Sequence, residues 1–392
     1  MTFPLFPPLH LDVLIVGAGP VGLFLGCRLA QLGISFKILE KRRSRFLHSR
    51  SIGIHPPSLE KLEALDSVEA FLQQGIKIKC GHGFINTKYL GVVDFTVCPK
   101  PYNFVLSLPQ FETEAILEKH LCELAPDSLL RGLEVIALKQ SEDRVWIEAR
   151  GSEKDSNEPT THLQFSAQFV VACDGKDSTL RQLAGIAFQG GDYPDSYVMG
   201  DFSDTTEFGT DAAIYLTGDG LVESFPLANG VRRWVAKTDT RIVQPSPEVL
   251  ADLVYERINV RLPVSTHSML SSFGVQHYLA KSFVSHRVIL AGDAAHVLSP
   301  IGGQGMNLGW LDAWDAAEVL KRILKNREAI SVLQTYHLKR KKVARKAQIR
   351  AAFNMQMGRK TRFGTAKYAL ARVLIKQPFV TKLAKLFTMR GL

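Results

Sequence analysis

Hydrophobic positions along the chain fall into two periods. Apolar runs at residues 12–16, 35–39, 169–172 and 287–291 are short and bounded by turn formers, and they read as buried strands. Leu23, Leu25, Cys27, Leu29 and Ala30, and later the segment 306–324, carry helical spacing instead. A third region alternates: Ala213 and Tyr215, then residues 221–227, then 232–236, with Gly-Asp-Gly and Asn-Gly turns between them. That pattern predicts an antiparallel sheet over residues 182–280, with 76–107 adding strands to it. Ser, Asp, Asn, Glu, Pro and Thr fill residues 151–162, which predicts a flexible hairpin tip. No internal repeat is visible. The expected class is α/β, with an antiparallel sheet inserted into a strand-helix-strand domain.

The turns that end the strands carry the chemistry. Gly17, Gly19 and Gly22, with Pro20 and Val21 among them, follow the first strand and open a helix. In this setting Gly17 allows the tight turn, Gly19 lets backbone approach a pyrophosphate, and Gly22 permits close helix packing. Glu40 closes the next strand and can hold an adenosine ribose, with Lys41 beside it. Asp174 follows the third strand in an Asp-Gly turn. Gly292 and Asp293 follow the fourth, placing a carboxylate where open α/β sheets bind ligands, within reach of a sugar-alcohol hydroxyl. Pro300, Gly303, Gln304, Gly305, Met306 and Asn307 then form a glycine-rich turn opening a helix, where several N–H groups and a positive helix end suit an electron-rich ring edge.

These three segments, in this order across nearly the whole chain, resemble the single-component FAD-dependent aromatic hydroxylases of the p-hydroxybenzoate and salicylate hydroxylase type. Two shorter matches agree: residues 50–56, beginning at Arg50, look like the family's flavin loop, and Gln110 sits where the family places a glutamine beside the flavin. The resemblance implies a discontinuous, Rossmann-like FAD-binding domain of the GR2 type, formed by residues 1–75, 108–181 and 281–330. Residues 76–107 and 182–280 would form the substrate-binding β-sheet domain, and 331–392 a basic helical tail. It also implies FAD as cofactor, NADH or NADPH as a transient co-substrate bound near Asp174, and O2. The reaction implied is hydroxylation or epoxidation of a hydrophobic aromatic, quinone-like or heteroaromatic metabolite through a flavin C4a-hydroperoxide.

Composition adds limits. The 392 residues, 46% hydrophobic, suit two packed domains. Five dispersed cysteines without CxxC spacing argue against a disulfide framework or a zinc site; no metal is expected, and a reducing cytoplasm is. No basic leader region precedes the first strand, and no uncharged apolar run reaches the roughly 18 residues of a membrane span. The net charge of +10 is uneven: residues 331–392 hold 16 Lys and Arg and no acid, leaving −6 for residues 1–330. Within the tail, Leu370, Val373, Leu374, Phe379, Leu383, Leu386 and Phe387 recur at helical spacing. Such a helix either lies peripherally on the inner face of an anionic membrane or docks its stripe on the FAD domain. On the membrane reading, a truncation near Ser331 would lose vesicle binding and keep FAD. Nucleic acid is not expected, because no stacking aromatics accompany the lysines.

On the substrate side, His55 is the first candidate for a base that deprotonates a phenol, although before Pro56 and Pro57 it also suits a helix cap. Tyr215 is a second candidate, as a pocket residue. Of Arg232 and Arg233 at most one can greet a substrate carboxylate, since neighbours on a strand point oppositely. His296 reads as structural. Halogenases of related fold would show a Trp-x-Trp pair, which Trp146, Trp234, Trp310 and Trp314 do not form. An isoprenoid reductase or epoxidase, or a flavoprotein that holds FAD without turnover, would also carry such motifs.

Overall fold

A computed structural model describes residues 9–45, 51–151, 162–359 and 364–391. Arg50 and the centre of the expected hairpin tip lie outside these. The runs expected as buried strands lie side by side in one eight-stranded sheet. Its path runs Val284–Ser285, Val288–Leu290, His162–Ala172, Leu9–Val16, Phe36–Glu40 and Leu129–Arg131, and all but the first strand are parallel. Two further strands, Leu133–Gln140 and Val145–Gly151, form an antiparallel arm on the first half of His162–Ala172. Because Val16 pairs with Ala172 and Leu39, and Ala172 with Leu290, the turns after four strands open along one edge of the sheet.

Helices cover both faces, so these strands read as continuous apolar runs. Pro20–Gln31 buries Leu23, Phe24, Leu25, Cys27 and Leu29. Against it lies Gln304–Leu324, whose Trp310 stacks on Phe24 with ring centres 5.9 Å apart and donates Nε1–H to the Pro20 carbonyl at 2.9 Å.

The second eight-stranded sheet is mainly antiparallel, in the order His296–Val297, Met269–Ala280, Phe188–Ser203, Val231–Thr238, Gly220–Leu227, Ala212–Thr217, Cys80–Ile85 and Lys88–Asp94. Ile76–Ile78 and Val105–Ser107 do not join it. Val105–Ser107 is instead the central strand of a small three-stranded sheet, pairing with Gly53–Ile54 on one side and Ile76–Ile78 on the other. One face of the large sheet packs on helix Pro247–Ile258 around Trp234, Phe202, Val198 and Leu250. Its other face looks toward the parallel sheet's ligand edge.

The tail forms helices Leu333–Gly358, Gly364–Leu374 and Phe379–Phe387. Only part of the apolar stripe docks on protein, and it does so beside the substrate sheet rather than on the parallel sheet. Val380, Leu383, Ala384 and Phe387 pack with Ile78, Val93, Phe95 and Ala212, beside the substrate sheet. Leu383 and Phe387 of the stripe are thereby covered by protein, whereas Leu370, Val373 and Phe379 stay exposed, at 44%, 49% and 42%. The cations also find partners: Arg340 pairs with Asp312 and Asp315, Arg359 with Asp195, and Arg390 with Glu60. Truncation near Ser331 would strip these contacts, together with the Tyr336 hydroxyl bond to the Leu290 carbonyl. No helix among the described residues is long and apolar enough to cross a membrane.

Candidate active site

The first turn leaves no room for side chains. Gly17 has φ +103°, and a Cβ there would sit 2.3 Å from the Cys173 carbonyl oxygen; one at Gly22 would sit 1.9 Å from the Gly17 oxygen. At Gly19 a Cβ would meet nothing within 4 Å, which marks an open cradle over the start of helix Pro20–Gln31. That helix has no side-chain cap, so its first N–H groups face the opening. Glu40 borders the turn and steadies it, accepting from Ala18 N at 2.8 Å and Arg42 N at 2.9 Å.

Asp174 accepts from Leu180 N at 3.1 Å with one oxygen, while its other oxygen is buried without a partner. Burial raises its pKa, partly offset by Ser178 and the Leu180 N–H. Asp293 presents its carboxylate to the same cleft. It stays open to solvent, but the protein atoms around it desolvate the charge and raise this pKa too, against the pull of His296 and Lys176. The glycine turn is capped at Gly303, with φ +63°, and helix Gln304–Leu324 likewise lacks a side-chain cap. A Cβ at Gly305 would meet nothing within 4 Å. Uncapped helix N-termini, glycine cradles and two carboxylates at one sheet edge fit a dinucleotide with a polyol chain.

Asn307 braces the turn from below. It is fully buried and donates to the Gly53 and Gly303 carbonyls, each at 2.8 Å, while accepting from His55 N at 2.8 Å. Gln304 is buried beside it. Gly22, Gly292, Gln304 and Asn307 therefore support the cleft without lining it, whereas the other described residues expected at the cofactor do line it. Beneath the Gly-Asp turn, Asp312 accepts from Gly292 N at 3.1 Å and contacts His296 Nε2 at 2.5 Å and Arg340 Nε at 2.6 Å. Burial pushes Asp312 upward, but these two partners hold its carboxyl below the usual range. His296 thus occupies the structural place expected of it.

The surroundings of His55 argue against the base role expected of it. Its Nε2 lies 3.0 Å from the Gly302 carbonyl, which only accepts, so Nε2 carries the proton; Nδ1 is buried without a partner. Burial lowers its pKa to about 4, opposed by the Gly302, Gly303 and Phe387 carbonyls. It precedes helix Pro56–Glu63 but makes no side-chain cap bond. The ring is a neutral strut under the glycine turn.

The cleft continues past this turn into a chamber under the second sheet, a cavity of about 770 Å³ in all. Register fixes which residues face it: Ile214 pairs with Glu223, Glu223 with Val235, and Val235 with Met199, all four on one face. Tyr215 points the other way. It stacks on Phe84 with ring centres 4.6 Å apart in the core against helix Pro247–Ile258, so it is corrected as a pocket residue. Arg232 goes with it, bound to Asp204 at 2.8 Å, while Arg233 lines the cavity, bound to Asp201 by two 2.7 Å bonds. Leu374, Ile375, Leu383 and Phe387 close the chamber from the tail.

Two features escaped the sequence reading. Glu223, 6% exposed, faces the chamber, and burial alone raises its pKa to about 7. Its signal was present as the one acid inside the run 221–227. The tail's part in the chamber was hidden, because an amphipathic stripe does not name what it covers.

Residues 10–351 match the FAD-binding domain family. Rifampicin monooxygenase of Streptomyces venezuelae is 30% identical over 342 residues, covering 85% of this chain and 68% of that protein. Among solved structures, anhydrotetracycline hydroxylase from Streptomyces rimosus aligns with TM-score 0.80 at 26% identity, covering 98% of this chain and 77% of that one. The p-nitrophenol 4-monooxygenase of Pseudomonas putida shares the fold with TM-score 0.87 at 24% identity, over 98% and 99% of the two chains. The chain spans about two thirds of the length of the curated relatives it matches. An intact dinucleotide cradle, the Asp-Gly and Gly-Asp turns on one sheet edge, and these likenesses together place the chain in the family of FAD-dependent aromatic monooxygenases.

Proposed function

We propose that the protein uses NADH or NADPH and O2 to hydroxylate a hydrophobic, hydroxyl-bearing aromatic or quinone-like small molecule. The observation that carries this reading is the continuity of one cavity from the Gly17–Val21 cradle, past the Gly303–Met306 helix start, into the apolar chamber. Relatives named for rifampicin, anhydrotetracycline and pentachlorophenol support a ring substrate, and favour this reading over isoprenoid reduction or halogenation. Residues 1–75, 108–181 and 281–330 would serve the cofactor, and 76–107 with 182–280 the substrate. The five cysteines, all free, support the cytoplasmic setting.

Bound FAD supplies the redox chemistry. Gly19, Pro20 and Val21 would bind its pyrophosphate at the helix end, Glu40 and Lys41 its adenosine side, and Asp293 its polyol chain. The N–H groups of Gly303, Gly305 and Met306 would stabilise negative charge at the ring's pyrimidine edge. Gln110 and Asp174 line the cleft between, and Asp174 lies where the transient nicotinamide is expected. Leu374, Leu383 and Phe387 exclude water from the chamber, which strengthens every polar interaction inside it.

Anaerobic stopped-flow reduction of the FAD-loaded protein by NADH and NADPH, with and without phenols, quinones and heteroaromatics, tests the reading. Acceleration by one ring class is expected. Reduction by neither nucleotide under any condition would refute it.

A further inference from the structure

We infer that Glu223 is the catalytic group that receives the substrate's ring-hydroxyl proton. This rests on the hydroxylase reading above. The inference starts from an unmatched charge: Glu223 is buried, faces the chamber, and has no hydrogen-bond or ion-pair partner among the described residues. Buried carboxyls are ordinarily paired or hydrogen-bonded, because leaving one bare costs several kcal/mol, roughly, in desolvation. A group kept bare at the wall of a ligand chamber is matched by the ligand.

The surroundings narrow the ligand's chemistry. Leu221 and Phe225 flank Glu223 on its own strand, and Ile214 and Val235 face it from the neighbours. Leu221, Val235 and Met199 also pack with Ile301 from the glycine turn, so Glu223 stands beside the place where the turn meets the sheet. The charged groups of this face are engaged. Arg233 holds Asp201, Lys237 lies 3.8 Å from Asp195, and Arg359, from the end of the long tail helix, grips Asp195 at 2.5 Å. Tyr197 is buried in the same layer, and burial, with smaller help from the Glu223 and Asp195 charges, raises its pKa above the usual tyrosine range. A wall that is largely apolar, with one bare carboxyl and the unpartnered Asn354 amide across the chamber, suits a flat ring bearing a hydroxyl.

The step is a simple transfer. The substrate O–H bond breaks with its electron pair staying on the phenolate oxygen, and the proton forms a bond to a Glu223 carboxylate oxygen. The phenolate is the more nucleophilic ring, so oxygen transfer to it is faster. The proton returns to solvent before the next turnover. A titration about 7, set by burial alone, lets the carboxyl accept and release near neutral pH.

The test uses full-length, FAD-loaded wild type, Glu223→Gln and Glu223→Asp with a series of para-substituted phenols of falling pKa. Product formed per NAD(P)H consumed and kcat are recorded across pH. For phenols un-ionised at the assay pH, Glu223→Gln should lose on the order of 100-fold in kcat and the rising limb near pH 7. For phenols already ionised it should lose less than about threefold, and Glu223→Asp should recover part of the loss. Retained FAD content and unchanged thermal unfolding would show that the variants fold. An equal loss for every phenol, or an unaltered pH profile, would overturn the role of Glu223 while leaving the hydroxylase reading standing. Wild type that oxygenates no phenol would overturn both.

Discussion

Replacing Arg340 by methionine removes the guanidinium that holds the floor of the cofactor edge. Arg340 is 3% exposed; its Nε lies 2.6 Å from Asp312, which is fully buried, and it also reaches the Leu308 carbonyl at 3.3 Å. Methionine fills the aliphatic volume but leaves Asp312 with only His296 and the Gly292 N–H. Breaking one side of a buried pair costs about 3–5 kcal/mol, mainly from the charge left behind. At about 2.1 cal/mol/K per residue over 392 residues, a loss of that size lowers Tm by about 4–6 °C. The pH dependence separates this cause from lost packing. In wild type the folded pKa of Asp312 lies below its unfolded value, so its contribution is present above about pH 4 and lost as pH falls through the depressed value. Without Arg340, burial prevails, the folded pKa rises, and protonation relieves the stranded charge. The Tm gap between the two proteins should therefore be widest near pH 7 and narrow as pH falls toward about 4. Thermal unfolding monitored by flavin fluorescence measures it, and FAD should dissociate earlier because Asp312 also holds Gly292 N. A loss below about 1 kcal/mol, or a gap that does not change with pH, would refute the reasoning.

Four further substitutions have expected outcomes. Gly22→Ala, whose Cβ would strike the Gly17 carbonyl at 1.9 Å, should fold poorly. Gly19→Ala, with open space, should keep the wild-type apo Tm and lose FAD affinity by equilibrium titration. His55 is held neutral with its pKa lowered to about 4, so its contribution is full above the unfolded value near 6.5 and falls as pH drops between those two values. The full span is worth about 3 kcal/mol at most, and His55→Asn should remove that part of the acid sensitivity while keeping the rising limb of kcat near pH 7. Tyr215→Phe should change kcat less than about twofold, because the ring packs away from the chamber; a tenfold loss in steady-state hydroxylation would place it back at the substrate.

What the sequence disclosed was what local sterics dictate. Gly17, Gly19 and Gly22 are legible because their spacing after a strand and before a helix is a local pattern, although the Gly17 contact is with distant Cys173, and the apolar runs are legible because strands covered on both faces admit little else. The face of the second sheet was not legible. Tyr215 and Ala213 alternate with Ile214 and Leu216, so both faces are apolar and period two cannot say which meets helix Pro247–Ile258 and which the chamber. His55 was read from its chemistry and its place after the flavin loop. Its role was decided by the Gly302 carbonyl, 247 residues away in sequence. The tail posed the same difficulty, since a stripe containing Leu383 and Phe387 satisfies lipid and protein equally until a partner such as Phe95 is seen beneath it.

The most direct test of the account is the source of the oxygen atom in the product. The FAD-loaded protein, given NAD(P)H and the phenol that most accelerates flavin reduction, is run under ¹⁸O₂ in unlabelled water. One labelled oxygen on the ring per nicotinamide oxidised is expected. Nicotinamide oxidation that yields only hydrogen peroxide with every ring offered, or product oxygen drawn from water, would contradict it.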